Sequence, residues 1–146
     1  MDIPDGIYVD NSSLSEGVPE WGESIRLRDA KRRFVIEVGG DFFRESPELS
    51  ISEYIQSFSL TSAEILGRSA ARRGELQGAS LRFREPLRQA ETLLEYLTCE
   101  NAGGRGVSIT VRAFAPETIE SALKISEVET IISSLEFERG FEDNYS

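Results

Sequence analysis

The sequence predicts an α+β fold in which two amphipathic helices pack on an antiparallel sheet of about six or seven strands. Segments that alternate apolar with polar residues recur along most of the chain, and Gly- or Pro-containing turns separate them. Two other stretches repeat apolar residues at helical spacing instead. At 146 residues, we expect a single domain over residues 1–139 and a flexible acidic tail over residues 140–146.

The first strands are predicted in the N-terminal third of the chain. Residues 6–9 form a short apolar segment between turn-forming residues. Ile25 and Leu27 alternate with arginines, and after a short turn the residues from Phe34 to Val38 alternate in the same way. Alternation on both sides of a tight connection is typical of a hairpin with one buried face.

A helix is predicted after residues 41–48, a stretch that looks irregular because of its Ser46-Pro47 pair. Ser50 and Glu53 have the spacing of a capping box, in which the serine hydroxyl accepts from the third amide and the glutamate reaches back. The residues that follow place an apolar stripe on one helical face: Ile51, Tyr54, Ile55 and Phe58.

The second half is predicted to form two hairpins and a closing helix. The hairpins are expected over residues 64–83, with a turn at Gly74, and over residues 92–114, with a Gly-rich turn at residues 101–106. A second amphipathic helix and a short terminal strand at residues 135–137 complete the prediction, the helix carrying its apolar residues at Ile125, Val128, Ile131, Ile132 and Leu135.

The net charge of −10 lies mostly at the two ends of the chain. Residues 1–25 contribute −6 and include no Lys or Arg, and residues 117–146 contribute −6 again. An acidic exterior disfavours nucleic acid and anionic membranes and steers a basic protein towards it. The alternative is that the charge serves only solubility.

The sequence offers neither a membrane segment nor an export signal. No apolar stretch approaches the ~20 residues of a membrane span, and the first residues lack the basic start and apolar run of a signal peptide. Cys99 is the single cysteine, so an internal disulfide is impossible. We therefore expect a cytoplasmic protein without membrane insertion.

The residue types needed for most catalytic chemistry are scarce. The chain has no His, which removes the commonest general base and metal ligand, and Cys99 is expected in mid-strand as an inert thiol. Carboxylate pairs such as Asp2 with Asp5 lack the dense oxygen ligands of a calcium loop. We predict no catalytic residue, no metal and no cofactor, and hence a protein that is not an enzyme.

The leading candidate for partner binding is an acidic edge formed by residues 10–23. Trp21 lies among turn formers and carboxylates, where a core is hard to build, and Trp is enriched at binding hot spots. Asp10, Glu20 and Glu23 would orient a basic partner around it. The competing interpretation is that Trp21 caps the sheet from a loop.

A second candidate surface is a basic stripe made of Arg72, Arg73, Arg82 and Arg84. Arg82 and Arg84 share a strand face, and the other two are expected on the neighbouring strand of the hairpin. The alternative is an exposed sheet face balanced by Glu75 and Glu85. If the stripe lies opposite the acidic edge, head-to-tail self-association or a homodimer becomes possible.

Several local signatures resemble the Mog1/PsbP-like superfamily, which includes DUF1795-type domains. The N-terminal ones are Pro4, Gly6, Asp10, Ser13, Leu14, Val18, Pro19, Glu20 and Glu23. The downstream ones are the hairpin strand 74–83, Pro116 after a strand, and a helix that runs into residues 133–137. Members of this superfamily mostly bind other proteins, so the resemblance implies a non-enzymatic adaptor or chaperone.

Two other functions remain open on the sequence. The first is an immunity-type inhibitor, small and acidic, that occludes a basic toxin or nuclease. The second is a carboxylate-dependent hydrolase.

Overall fold

In a computed structural model of the protein, the strands within the described residues form one seven-stranded antiparallel sheet. The residues that the structure describes are 2–10, 24–43, 45–60, 62–99 and 105–135. The strands are β1 (Ile7–Val9), β2 (Ser24–Asp29), β3 (Phe34–Phe42), β4 (Glu64–Arg73), β5 (Leu76–Glu85), β6 (Ala90–Thr98) and β7 (Arg105–Phe114). Their spatial order is β1-β2-β3-β7-β6-β5-β4, so β1 and β4 are the two edges.

The helices within the same residues are α1 (Pro47–Gln56), α2 (Ile119–Ala122) and α3 (Ser126–Ser133). A short 3-10 segment, Ser57–Leu60, continues α1. The predicted α+β architecture is therefore confirmed, since a seven-stranded antiparallel sheet carries helices on it. The predicted tail at residues 140–146 and the turn at residues 101–104 lie outside the described residues.

The start of α1 differs from the prediction by one turn. Ser46, not Ser50, is the N-cap: its side chain accepts a hydrogen bond from the backbone N–H of Leu49 at 3.3 Å. Pro47 occupies the first helical position, where its fixed φ suits a helix and its missing N–H costs nothing. The Ser46-Pro47 pair begins the helix, so the prediction of an irregular stretch there was wrong.

Each face of the sheet carries its own apolar cluster because side chains alternate along every strand. The first face, which carries Leu27, Ile36 and Ile109, packs against α2 and α3 and holds fifteen of the buried residues. The second face carries Leu81, Phe83 and Leu94 and packs against Ile51 of α1. The helices thus cover opposite faces at different parts of the sheet.

The C-terminal region contains two helices rather than one. Thr118 and Ser121 form a capping box that begins α2, and α3 follows after three residues. Val128 and Ile131 of α3 are buried on the first face, as the helical spacing predicted. Cys99 is half-buried and comes just after β6 ends at Thr98, so its predicted place in mid-strand was wrong.

Asp29, at the end of β2, fixes the β2–β3 turn and ties it to α3. It is 2% exposed, and its Oδ2 accepts from the Arg33 Nε at 2.7 Å and from the Arg33 backbone N–H at 3.0 Å. The same guanidinium lies 3.4 Å from Glu127 of α3. Burial alone opposes ionisation of Asp29, but the hydrogen bonds from Arg33 outweigh it and lower the pKa of this carboxyl.

Within the part of the chain that the structure describes, no helix is long and apolar enough to cross a membrane.

Candidate functional site

The acidic edge begins at the outer strand β1. Asp10 follows β1 directly, and its backbone N–H donates to the Arg26 carbonyl at 2.8 Å. Its carboxylate lies 3.7 Å from the Arg28 guanidinium in a solvent-exposed pair, which contributes little to stability. Tyr8 and Val9 of the same strand are 57% and 48% exposed, so this edge presents apolar side chains next to a carboxylate.

The remaining predicted members of the acidic edge, Glu20, Trp21 and Glu23, lie outside the described residues. The sequence places them between β1 and β2, the two strands at this side of the sheet. The hypothesis that they surround one partner-binding surface with Asp10 stays a prediction.

The arginine set divides between the two faces of the sheet. Arg72 and Arg73 lie on β4, and Arg82 and Arg84 lie on β5, as predicted. Cross-strand pairing of Arg73 with Leu76 places Arg73 on the first face together with Arg82 and Arg84. Arg72 pairs with Gln77 on the second face, where its Nε donates to the Gly74 carbonyl at 3.2 Å.

Two of these arginines are neutralised by glutamates other than the predicted ones. Arg73 binds Glu95 in a bidentate pair, with Nε–Oε1 at 2.6 Å and Nη2–Oε2 at 3.1 Å. Arg84 lies 3.1 Å from Glu91 and 3.7 Å from Glu64. Arg82 is exposed and forms no ion pair within the described residues, so it is the member of the set best able to meet an external anion.

The arginine set and Asp10 lie at opposite sides of the sheet. The set occupies β4 and its neighbour β5, whereas Asp10 follows β1, the other edge. This is the arrangement that head-to-tail self-association requires, and the association itself remains a prediction.

The structure also contains a cleft that the sequence did not indicate. It lies on the second face, next to the part of the sheet that α1 covers, among the polar residues of β3 and β7. Its volume is about 220 Å³. Its lining combines aromatic and apolar side chains, hydroxyl groups, one carboxylate and one guanidinium: Glu37, Tyr54, Phe83, Thr92, Leu94, Tyr96, Ser108, Thr110 and Arg112.

Aromatic packing builds one wall of this cleft. The rings of Tyr54, Phe58 and Phe83 form one cluster, with Tyr54 5.7 Å from Phe83, Phe58 5.0 Å from Phe83, and Tyr54 5.5 Å from Phe58. Tilted pairs at these distances are favourable beyond their buried area. They hold α1 against β5, so the position of Tyr54 at the cleft follows from the packing of the small core.

Glu85 organises the charges at the end of the cleft. It accepts from the Thr92 hydroxyl at 3.2 Å and lies 3.4 Å from both Arg88 and Arg112. Burial, followed by the Glu85 carboxylate, raises the pKa of Tyr54, while Arg112 and Arg88 oppose that rise. The Tyr54 phenol is therefore neutral and able to donate a hydrogen bond at neutral pH.

Arg112 carries a donor that its surroundings do not satisfy. Its Nε is buried and makes no hydrogen bond with the described residues, although Glu85 Oε1 is 3.4 Å away. A buried donor left without an acceptor costs about 1–3 kcal/mol. The Glu85 carboxylate compensates the charge of the guanidinium, and the Nε is too deeply buried for a molecule in the cleft to reach it.

The carboxylate chemistry expected of a hydrolase has little support from the described residues. Glu45 and Glu53 share a hydrogen bond that raises the pKa of Glu45, but both are exposed to solvent, which weakens any electrostatic effect. Among the residues described, no group of three or more His, Cys, Asp or Glu side chains is placed to hold a metal ion.

The comparisons with known proteins give no family. No family model matches this chain, and no curated protein matches it. The resemblance to the Mog1/PsbP-like superfamily therefore rests on the residues quoted for it and stays a prediction.

Proposed function

We propose that this chain is a non-enzymatic protein-binding domain, an adaptor or chaperone, that engages a partner with a basic surface through the edge at β1. The observation that carries the proposal is the concentration of exposed apolar side chains there. Seven large apolar residues are exposed in the described chain, and three of them, Ile3, Tyr8 and Val9, fall within seven consecutive residues. Asp2, Asp5 and Asp10 flank them.

This composition fits the anatomy of a protein interface. Interfaces have an apolar centre in which Tyr and Trp are enriched, and a polar rim that excludes water and tunes specificity. Tyr8 supplies apolar surface on one face of the edge strand and Val9 on the other, and the aspartates supply the rim. An edge strand also has backbone groups that its own sheet leaves unpaired, which a partner can use.

In this proposal the same surface also includes Glu20, Trp21 and Glu23. Trp21 would act as the central anchor, and the acidic residues would steer a basic partner towards the edge. The net charge of −10 supports a partner with a basic surface. A cytoplasmic location belongs to the same proposal.

Affinity capture from the native lysate at low salt tests the proposal, with Tyr8→Ala and Trp21→Ala compared with the parent protein. Each substitution should weaken binding of the captured protein by about 2 kcal/mol if it removes a hot spot, with little change in thermal stability. Leu87→Ala is the matched control, because Leu87 is 85% exposed at the β5–β6 connection, away from this edge.

A partner bound equally well by the parent, Tyr8→Ala and Trp21→Ala would remove this edge from the proposal. A captured toxin or nuclease whose activity the protein suppresses would identify the inhibitor alternative, and it would leave the edge assignment in place.

A further inference from the structure

Strand β4 has one free side along its whole length. It is an edge of the described sheet, and most of its residues are exposed. It has ten residues, whereas the other edge strand, β1, has three. An edge strand presents backbone N–H and C=O groups that its own sheet leaves unpaired, so it is a template for a further strand. Native sheets usually shield long edges, and the side chains of β4 therefore decide whether it can pair.

The turn after β4 shows which of its backbone groups point outward. Arg73 and Leu76 pair across a two-residue turn, in which the carbonyl of the first residue accepts from the N–H of the last. The backbone groups of Arg73 therefore face β5. Because these groups alternate in direction along an antiparallel strand, those of Arg68, Ala70 and Arg72 face the open side. The free edge thus presents both donors and acceptors at every second residue.

The side chains along this edge are small or held within the subunit. Apart from Arg68, the central residues 67–71 are Gly, Ser and Ala. Arg68 is turned onto α1, where its Nη2 donates to the Glu48 carbonyl at 2.9 Å and to the Ser52 hydroxyl at 2.7 Å. The strand has no Lys or Pro, residues that commonly shield an edge, and its β-bulge lies near one end, after Ile65. The centre of β4 is therefore open to another strand.

A second copy of the same strand fits this edge best in one antiparallel register. With Ser69 opposite its own copy, Arg68 pairs with Ala70, so that outward-facing backbone groups meet each other. Beyond the bulge, the same register places Glu64 opposite Arg73, a carboxylate opposite a guanidinium. Registers centred on Arg68 or on Ala70 instead set arginines directly opposite each other, which is unfavourable.

We propose that β4 is the interface of a homodimer, in which the β4 strands of two copies pair antiparallel about a two-fold axis at Ser69. The pairing joins two seven-stranded sheets into one continuous sheet, and it is isologous, so it closes at two copies. Head-to-tail pairing of β1 with β4 would use only three residues of β1 against a ten-residue edge. The interface lies at the opposite side of the sheet from β1, and it does not depend on the function proposed for that edge.

Sedimentation equilibrium of the full chain over a range of concentrations tests the proposal. A reversible equilibrium between monomer and dimer of the 16.3 kDa chain is expected. A single species of monomer mass at every concentration up to about 1 mM would overturn the proposal. Oligomers that keep growing with concentration would also overturn it, because an isologous interface closes at two copies.

Proline substitutions locate the interface. Ala70→Pro removes an outward N–H of β4 and no hydrogen bond to β5, and edge strands tolerate proline at such positions. The symmetric dimer loses this hydrogen bond twice, so its dissociation constant should rise about tenfold or more.

Val9→Pro is the matched control on the other edge. The Asp10 N–H donates to the Arg26 carbonyl of β2, so the N–H of the preceding Val9 points outward. This substitution should leave the dissociation constant of the dimer unchanged. Equal losses in the two variants would indicate head-to-tail pairing and refute the assignment, as would an unaltered dimer in Ala70→Pro.

A disulfide tests the register even if circular dichroism shows that Ala70→Pro does not fold. Cys99→Ser first removes the only cysteine of the chain. Ser69→Cys in this background places two thiols across the two-fold axis, where opposed Cα atoms are about 4.5 Å apart and a disulfide forms readily. Glu64→Cys is the control, because the two copies of residue 64 lie at opposite ends of the interface. A covalent dimer in Ser69→Cys alone supports the proposal, whereas none in Ser69→Cys, or equal amounts in both variants, contradicts it.

Discussion

The two faces of the sheet carry the same alternation of side chains but bury them differently. The first face is an apolar layer over β2, β3 and β7, closed by α2 and α3, with Leu27, Ile36 and Ile109 fully buried. Towards β4 and β5 it becomes polar, where Arg73 and Arg84 pair with glutamates of β6. The second face has a small aromatic core under α1 and then a polar, open region that includes the cleft. The face under α2 and α3 therefore supplies most of the buried apolar core, whereas the face under α1 holds a smaller one.

The largest effect that would test this comparison is a cavity in each core. Ile36→Ala should lower the free energy of unfolding by about 4 kcal/mol, because the surrounding layer cannot collapse into the space. Leu94→Ala should cost about 2 kcal/mol, since Leu94 lines the open cleft and water can fill the space it leaves. Urea unfolding measures both, and equal costs would break the comparison.

The next effect concerns the buried carboxylate at the end of the first face. Asp29→Asn should destabilise the protein by about 2 kcal/mol, because it weakens the charge-assisted hydrogen bonds from Arg33 and leaves that guanidinium with Glu127, at 3.4 Å, as its remaining counterion. Asp5→Asn, at an exposed aspartate, is the control and should change stability by less than about 0.5 kcal/mol. A small effect at Asp29 would show that the turn does not depend on this ion pair.

The lowered pKa of Asp29 predicts that the free energy of unfolding decreases at acidic pH. Its pKa is lower in the folded than in the unfolded protein, where it is about 3.8. The stability that the ionised Asp29 carboxylate contributes is therefore fully present above the unfolded pKa and is lost as the pH falls through the folded pKa. Urea unfolding between pH 6 and pH 3, roughly spanning that range, should show a steeper loss for the parent than for Asp29→Asn, and parallel curves would exclude the linkage.

The smallest effect compares two ion pairs that share the first face. Arg73→Met should cost about 1–2 kcal/mol, because it leaves Glu95, which is 8% exposed, without its bidentate partner. Arg84→Met should cost less than about 1 kcal/mol, since its pairs with Glu91 and Glu64 are more exposed. Thermal unfolding of both variants against the parent ranks them, and a reversed order would show that burial does not set the strength of these pairs.

The hairpins were predictable because their signal is local. Alternation at residues 25–27 and 34–38, and the turn at Gly74, appear in the structure as β2–β3 and β4–β5. The start of α1 was missed because two serines offer N-caps one turn apart. Proline at the first helical position decides between them, as Ser46 already has the extended backbone that an N-cap needs.

The cleft was not predictable for a different reason. Ser108, Thr110 and Arg112 alternate with buried apolar residues, so the sequence indicates only that they face away from the main core. The partner of Arg73 was missed for the same reason, since Glu95 lies on β6, 22 residues away. The pair of Arg84 with Glu91 depends on the register of the β5–β6 hairpin, which sets these two residues opposite each other.

Local periodicity and charge were enough to predict the class of fold, the strand hairpins, the apolar stripe of each main helix and the acidic bias of the N-terminal edge. The strand order, which places β1 and β4 at opposite edges, and the pairing of Arg73 with Glu95 required the folded structure. The same packing makes α1 stop short of β3 and β7 on the second face, which leaves an open cleft lined by polar and aromatic side chains. These features depend on which distant segments pack together, and packing is a property of the whole chain.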